Sequence, residues 1–419
     1  MSRHIVVIGA GIVGACCALE LLRDGNRVTI IEPGAPGGDQ AASFGNGAFL
    51  STGSVVPMSM PGLWRKVPGW LADPLGPLTI RWSSLPALLP WLLRFLRAGS
   101  TVARVRKTAA SLAPLVADCP ARHLALATEA GVPELIQRTG ILYVFPDRAA
   151  FEADALGWQL RAENGIEWTE LDADELHQSE PSLDRRYTFG VRVDSSAHCC
   201  DPGAYVAALV AHAQSLGAEL VPARATGFDI EDGRLQAVRT LGGKIACDGA
   251  VIAAGIASSA LAESAGDRVP LASERGYHVV ISDPETGPRI PLMPSDGKMA
   301  NTMTEAGLRA AGRVELAAFD APPNWARADV LLKHLLSTYP GLPRNLPPER
   351  ITRWMGHRPS TPDGLPVIGK ARASDDIVHG FGHGHIGLIC GPMTGRLVAD
   401  LFAERATTIP IEAFSARRF

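Results

Sequence analysis

Apolar and polar positions switch between two periods along this chain, and the switch points mark its elements. The run His4-Ile-Val-Val-Ile8 reads as a buried strand because it is short, rich in β-branched residues and closed by glycine. Ala18, Leu19, Leu21 and Leu22 then recur at helical spacing, and Val28-Thr-Ile-Ile31 returns to a strand. Between the first strand and the helix stand Gly9, Gly11 and Gly14, while Glu32 follows the second strand, 18 residues past Gly14. Strand, glycine turn, helix, strand and acid in this order make a unit that holds a dinucleotide. The turn lets backbone approach a pyrophosphate, the helix N-terminus offers free N–H groups, and the acid accepts hydrogen bonds from ribose hydroxyls. A carboxylate there disfavours a 2′-phosphate, which argues against NADP; the unit alone leaves NAD and FAD open.

Beyond Glu32 the periodicity lapses into Pro33-Gly34-Ala-Pro36-Gly37-Gly38 and then Ser43-Phe44-Gly45-Asn46-Gly47. Such small residues let a backbone lie against a flat or charged ligand, and they equally suit a plain surface turn. Residues 57–98 are rich in Pro and Trp and open an excursion into another domain. Within it the spacing predicts a helix over 85–104, with Arg94, Arg97, Thr101 and Arg104 on one face opposite Leu, Trp and Phe. That helix reads either as interfacial, resting on anionic lipid or an electron-accepting partner, or as packed on its own domain with solvated arginines.

Further along, Asp201 caps a helix begun by Pro202. A hairpin over 225–230 and 235–240 turns at Glu231-Asp-Gly-Arg, and Val251-Ile-Ala-Ala254-Gly255 brings the chain back to its first domain. Alternation in Arg275-Gly-Tyr277-His278-Val-Val-Ile and in Arg313-Val-Glu-Leu-Ala-Ala-Phe319 predicts an antiparallel sheet in a second excursion. A helix over about 392–402 closes the chain. The reading is thus a discontinuous nucleotide domain (1–56, 196–262 and 356–419) and a second domain (57–195 and 263–355).

Composition narrows the function classes. At 419 residues, 46% hydrophobic and net charge −3, the chain has the size of two domains and no overall electrostatic footprint for nucleic acid. Seven cysteines include the adjacent pairs Cys16-Cys17 and Cys199-Cys200 and show neither metal nor disulfide-scaffold spacing, so free thiols, no metal and a cytoplasmic location are expected. Arg3 before an apolar run imitates a signal peptide, but three dinucleotide-spaced glycines and Glu20 mark mature protein. No stretch reaches about 18 uninterrupted apolar residues, the length of a membrane span.

Five motifs in order then carry a resemblance. They are the Gly9-Ala-Gly11-Ile12-Val13-Gly14 start with Glu32, the Ser43-Phe-Gly-Asn46-Gly47 turn, the Val251-Ile-Ala-Ala254-Gly255 strand, the segment Arg358-Pro-Ser-Thr-Pro-Asp363-Gly-Leu-Pro-Val-Ile-Gly369, and the loop Gly380-Phe-Gly382-His383-Gly384-His385-Ile386-Gly387. Together they resemble the D-amino-acid oxidase superfamily, and within it the bacterial small-subunit type of D-amino-acid dehydrogenase, over essentially the whole chain. The resemblance implies an α/β fold, with a Rossmann-like FAD-binding domain and an α+β substrate domain whose antiparallel sheet covers the flavin.

By the same resemblance, Gly9, Gly11, Ile12, Val13, Gly14 and Glu32 hold the adenosine diphosphate half of FAD. Ser43, Asn46 and Gly47 follow the pyrophosphate and ribityl chain, Ala254 and Gly255 lie on the adenosine side, and Gly384, His385, Ile386 and Gly387 meet the isoalloxazine. Arg358 faces the substrate carboxylate with help from Tyr277; its structural alternative is a salt bridge with Asp363. His383 and His385 supply donors or a proton shuttle, or else hydrogen bonds internal to a glycine loop. Sarcosine oxidases bond their flavin through a cysteine two residues ahead of the position of Arg358. Here that place is Gly356, so FAD is expected to be non-covalent.

The implied activity is oxidative deamination of D-amino acids by hydride transfer from Cα to flavin N5, giving an imine or 2-oxo acid. D-proline and hydroxy-D-proline are the favoured substrates, given the Trp- and Pro-rich excursion and few acids for a cationic side chain. The expected electron acceptor is not oxygen but a membrane quinone or another chain component, met by peripheral contact at the inner face of the membrane. Two alternatives stay open: a glycine- or sarcosine-type amine oxidase using oxygen, and a flavin-binding subunit without catalysis.

Overall fold

The computed structural model describes residues 2–73 and 76–419. In chain order, β1 (His4–Ile8), α1 (Ile12–Arg23) and β2 (Arg27–Ile31) come first, then α2 (Leu63–Ala72), α3 (Leu85–Ala98), α4 (Val102–Val116) and α5 (Cys119–Glu129). Strands β3 (Ile141–Phe145) and β4 (Phe189–Val193), helix α6 (Pro202–Ser215), and strands β5 (Glu219–Val221), β6 (Ala225–Glu231), β7 (Arg234–Thr240) and β8 (Gly249–Ile252) follow. The remainder comprises β9 (Ala272–Ile281), β10 (Leu292–Pro294), β11 (Met299–Thr304), β12 (Gly307–Leu316), α7 (Ala326–Thr338), β13 (Ile351–Ser360), β14 (Val367–Lys370), β15 (Ile377–Phe381) and α8 (Gly387–Phe402).

The first layer is a six-stranded sheet in the order β5-β2-β1-β8-β15-β14, parallel except for β14 at its edge. Ile5, Val7, Val28 and Ile30 are fully buried because helices cover the sheet, which is why these strands read as continuous apolar runs rather than alternating ones. α1 and α8 pack closely, with Gly395 against the backbone of Cys16. The predicted hairpin forms as β6 and β7, turning at Asp232 and Gly233, both at positive φ. Asp201 caps α6, its carboxylate accepting from the Gly203 and Ala204 N–H groups.

The second sheet runs β13-β9-β12-β11-β10-β3-β4, with Thr169–Leu171 beyond β4 and Leu78–Ile80 beside β12. β9 pairs antiparallel with both β12 and β13. On one face Tyr277, Val279 and Ile281 pack against Leu331 and Leu335 of α7; the other turns toward the first domain.

Three expectations change. The domain limit at 355/356 cuts through β13, which stays paired with β9 to Ser360, so this strand belongs to the second sheet throughout. Residues 102–130, placed with the second domain, instead bury Val105, Ala109, Leu112 and Leu126 in the same core as α1, α6 and α8. The single helix over 85–104 is two: α3 ends at Gly99, and Thr101 caps α4 by accepting from the Arg104 N–H. Among the described residues no helix is long and apolar enough to cross a membrane, and no group of His, Cys, Asp and Glu is placed to hold a metal. All seven cysteines are free.

Candidate active site

At the end of β1 the chain turns through Gly9 (φ +106°) into α1. A Cβ on Gly14 would overlap the Gly9 carbonyl oxygen, so only glycine lets the helix start this close to the strand end. Gly11 caps α1 without a side-chain acceptor, leaving N–H groups at the helix start for an anion. The Ile12 N–H donates to Ser43 Oγ at 3.1 Å, which brings the Ser43 loop to that start. Glu32 is pinned: Oε2 accepts from the Ala10 N–H (2.8 Å) and Oε1 from the Gly34 N–H (3.2 Å). Ala253 and Ala254, at the end of β8, lie against Gly9. Donors for a pyrophosphate, a fixed carboxylate for a ribose and a turn without side chains fit the adenosine diphosphate half of FAD.

The second sheet holds the loop that follows. Arg309 of β12, buried, donates through Nη1 to the carbonyls of Phe44 (3.1 Å) and Asn46 (3.0 Å). Thr302 Oγ1 donates to the Gly47 carbonyl at 2.9 Å, and His278 Nδ1 donates to the Gly45 carbonyl at 3.3 Å. Asn46 accepts from the Ala48 N–H through Oδ1 and donates through Nδ2 to the His385 carbonyl (3.4 Å). Ser43, Asn46, Gly47 and the 384–387 segment thus converge where the two domains meet.

Facing that junction from β13 is Arg358. Its Nη1 donates to Glu274 Oε1 (3.1 Å) and to the Arg313 carbonyl (3.0 Å), and the guanidinium lies against the backbone at Gly276. Glu274 Oε2 accepts from Ser360 Oγ at 3.0 Å. Neither Nε nor Nη2 of Arg358 meets a protein acceptor among the described residues, which leaves one edge of the guanidinium fork open. The expected alternative partner, Asp363, is held instead by Arg418, whose Nε lies 2.7 Å from Asp363 Oδ2.

The histidines part company. His383 is buried with Nε2 2.9 Å from the Thr394 hydroxyl of α8, and burial lowers its pKa to about 3, so it is a neutral brace for that helix. His385 opens onto the cavity shared with Glu274 and Ser360. Desolvation lowers its pKa from the usual imidazole value, with Glu274 acting the other way and Arg358 adding to the lowering.

Tyr277 does not join them. Successive strand residues face opposite sides, so Tyr277 points away from Glu274, and Arg358 sits opposite Glu274 on the neighbouring strand. The Tyr277 hydroxyl donates to Glu315 and accepts from the Asn324 N–H (2.9 Å) in the core under α7. Burial, with that acidic acceptor, raises its pKa to about 12.

Over residues 4–401 the chain matches the family model described as FAD dependent oxidoreductase, DAO. It belongs to that family. A D-amino-acid oxidase of Bradyrhizobium diazoefficiens is 57% identical over 418 residues, covering 100% of this chain and 99% of its own. A D-amino acid dehydrogenase of Paramagnetospirillum magneticum is 30% identical, covering 99% and 98%. Among solved structures, glycine oxidase from Geobacillus kaustophilus superposes with a TM-score of 0.73 at 20% identity, covering 100% of this chain and 99% of that one. This DAO-family chain is therefore an FAD-dependent oxidoreductase.

Several residues of this oxidoreductase escaped the sequence reading: Glu274, His278, Thr302, Arg309 and Trp354. Trp354 stacks on His278 (ring centroids 5.1 Å, planes 20° apart) and donates to the Asp39 carbonyl at 2.8 Å. The one available signal was the adjacent pair Glu274-Arg275 within an otherwise uncharged strand, because charges buried together need partners.

Proposed function

We propose that this enzyme oxidises D-amino acids, and that the open edge of Arg358 is the observation that carries this reading. A planar guanidinium with two free donors meets a carboxylate bidentately and fixes its orientation, which a point charge does not. Glu274 and the Arg313 carbonyl hold Nη1, so the remaining edge is presented with little freedom left to lose on binding. FAD, when bound, supplies the two-electron acceptor for the hydride leaving Cα. The chain's own part is to place Cα: Arg358 grips the carboxylate, and the loop at Asn46 and Gly47 and the segment at His385 wall the junction. The D configuration rests on the printed activities of the relatives.

The cavity beside Glu274 has a wall of Val56, Pro57, Met58, Trp91, Phe95 and Leu112. Glu274 is engaged by Arg358 and Ser360, so this wall favours apolar or cyclic side chains, in keeping with D-proline and hydroxy-D-proline. Two acceptor readings have support: oxygen from the oxidase relative, and a non-oxygen acceptor from the dehydrogenase relatives. Anaerobic mixing of the holoenzyme with D- and L-amino acids, N-methyl amino acids and prolines tests both. Bleaching of the flavin by D-amino or D-imino acids alone is the expected result. Fast reoxidation with peroxide on admitting air assigns oxygen, and slow reoxidation with fast dye reduction assigns the other acceptor. Bleaching by none of them, with FAD bound, overturns the proposal.

We infer that FAD is held without a covalent link. Gly356 offers no thiol at the place where sarcosine oxidases attach their flavin, and the Trp354 indole occupies the space a Cβ there would enter. Acid precipitation should therefore release all of the flavin into the supernatant; a yellow pellet would refute this.

A further inference from the structure

Between residues 40 and 117 the chain carries eight Lys or Arg and a single acid, Asp73, although the whole chain is net −3. The same stretch contains most of the large apolar side chains left on the surface. They centre on α3. Its inner face, with Leu88, Trp91, Leu92 and Phe95, packs on Ala272 and Leu316, and the Trp91 Nε1–H donates to the Ser360 carbonyl at 3.1 Å. On its outer face Leu89, Leu93 and Leu96 are 49%, 60% and 38% exposed, and Trp82, just before the helix, is 70% exposed. The sequence pattern had set the arginines opposite the leucines; in the structure Arg94 and Arg97 share this outer face with them. Arg104 reaches back to the Arg97 carbonyl at 3.2 Å. None of the three has an acidic side chain in ion-pair reach among the described residues, whereas most other surface arginines do.

We propose that the outer face of α3, with Trp82, docks on an anionic lipid bilayer. An apolar stripe with an indole at its edge and unpaired arginines beside it is the composition of a helix lying in the headgroup region, where the long cations reach phosphates while leucines enter the acyl boundary. α2 repeats the composition: it buries none of its residues, and it exposes Trp64, Arg65 and Lys66. A second copy of the chain is a poorer occupant, because a two-fold contact would set these unpaired arginines against their own copies. Since Trp91 and Phe95 of the same helix line the cavity, docking places that cavity one helix away from the bilayer.

Co-sedimentation of the holoenzyme with phosphatidylglycerol/phosphatidylcholine vesicles and with pure phosphatidylcholine vesicles, at low salt, tests the proposal. Binding to the anionic vesicles alone is expected, and the triple variant Arg94→Gln, Arg97→Gln, Arg104→Gln should weaken it roughly 100-fold, at about 1 kcal/mol per charge near such a surface. Leu89→Ser with Leu93→Ser should weaken it as well, and both variants should keep wild-type turnover of a soluble substrate with a dye acceptor. Quenching of tryptophan emission by brominated lipid, reduced in Trp82→Phe and abolished when Trp64→Phe is added, gives a readout that needs no charge change. Absence of binding, binding unmoved by both sets of substitutions, or a solution dimer that the leucine changes dissolve would each overturn it.

Discussion

Arg358→Lys should raise the KM for amino acids by about two orders of magnitude while FAD stays bound. The native guanidinium spends Nη1 on Glu274 and the Arg313 carbonyl, and Nε and Nη2, without a protein acceptor among the described residues, form the edge proposed to take the ligand. A lysine ammonium is a single compact charge. With Glu274 next to it, it would settle on that carboxylate and leave the substrate with no fork. Losing one charge-assisted bidentate contact costs roughly 2–3 kcal/mol, and each 1.4 kcal/mol is a factor of ten. Arg358 lies on the second sheet and makes no contact with Gly9, Gly14 or Glu32, so flavin content should not change. Steady-state kinetics with the flavin-to-protein ratio measured on the same sample separates the two effects, and an unaltered KM would withdraw Arg358 from carboxylate recognition.

Gly14→Val should yield a colourless protein. The new side chain overlaps the Gly9 carbonyl oxygen, so α1 must tilt away from β1, carrying its N–H groups off the pyrophosphate position. Overpacking of this kind costs about 1–3 kcal/mol, tolerable for a chain with a core this large. The fold should therefore persist by circular dichroism while the visible spectrum of flavin disappears and added FAD fails to restore it. A yellow variant of unchanged affinity would mean that the turn does not carry the cofactor.

The strand, turn and helix around Gly9 and Gly14, with Glu32 after the next strand, were legible because their geometry is local to a stretch of about thirty residues. The Asp201 cap and the Asp232-Gly233 turn were legible for the same reason. Where the reading failed, the cause was a contact between distant segments. Asp363 lies five residues from Arg358 yet pairs with Arg418 near the C-terminus, and Arg358 pairs with Glu274, 84 residues away, through strand register. Tyr277 was grouped with Arg358 by motif, but parity along β9 turns it to the opposite face, and only the pairing of β9 with β13 reveals that. Residues 102–130 have a helical period that says which side is apolar and nothing about which core receives it. The break at Gly99 was present in the sequence as Gly-Ser-Thr, and an apolar period that runs across it concealed it.

The grip of Arg309, Thr302 and His278 on the carbonyls of residues 44–47 has an evolutionary corollary. Substrate range in a two-domain enzyme is commonly thought of as exchangeable, one domain retained and the other replaced. In this architecture the sheet that bears Arg358, the proposed carboxylate anchor, also fastens the loop proposed to run along the cofactor. A transplanted second domain lacking those three donors would arrive with a loosened flavin site, so new specificities here are reached more readily by point changes around Arg358 and the apolar wall than by recombination of whole domains.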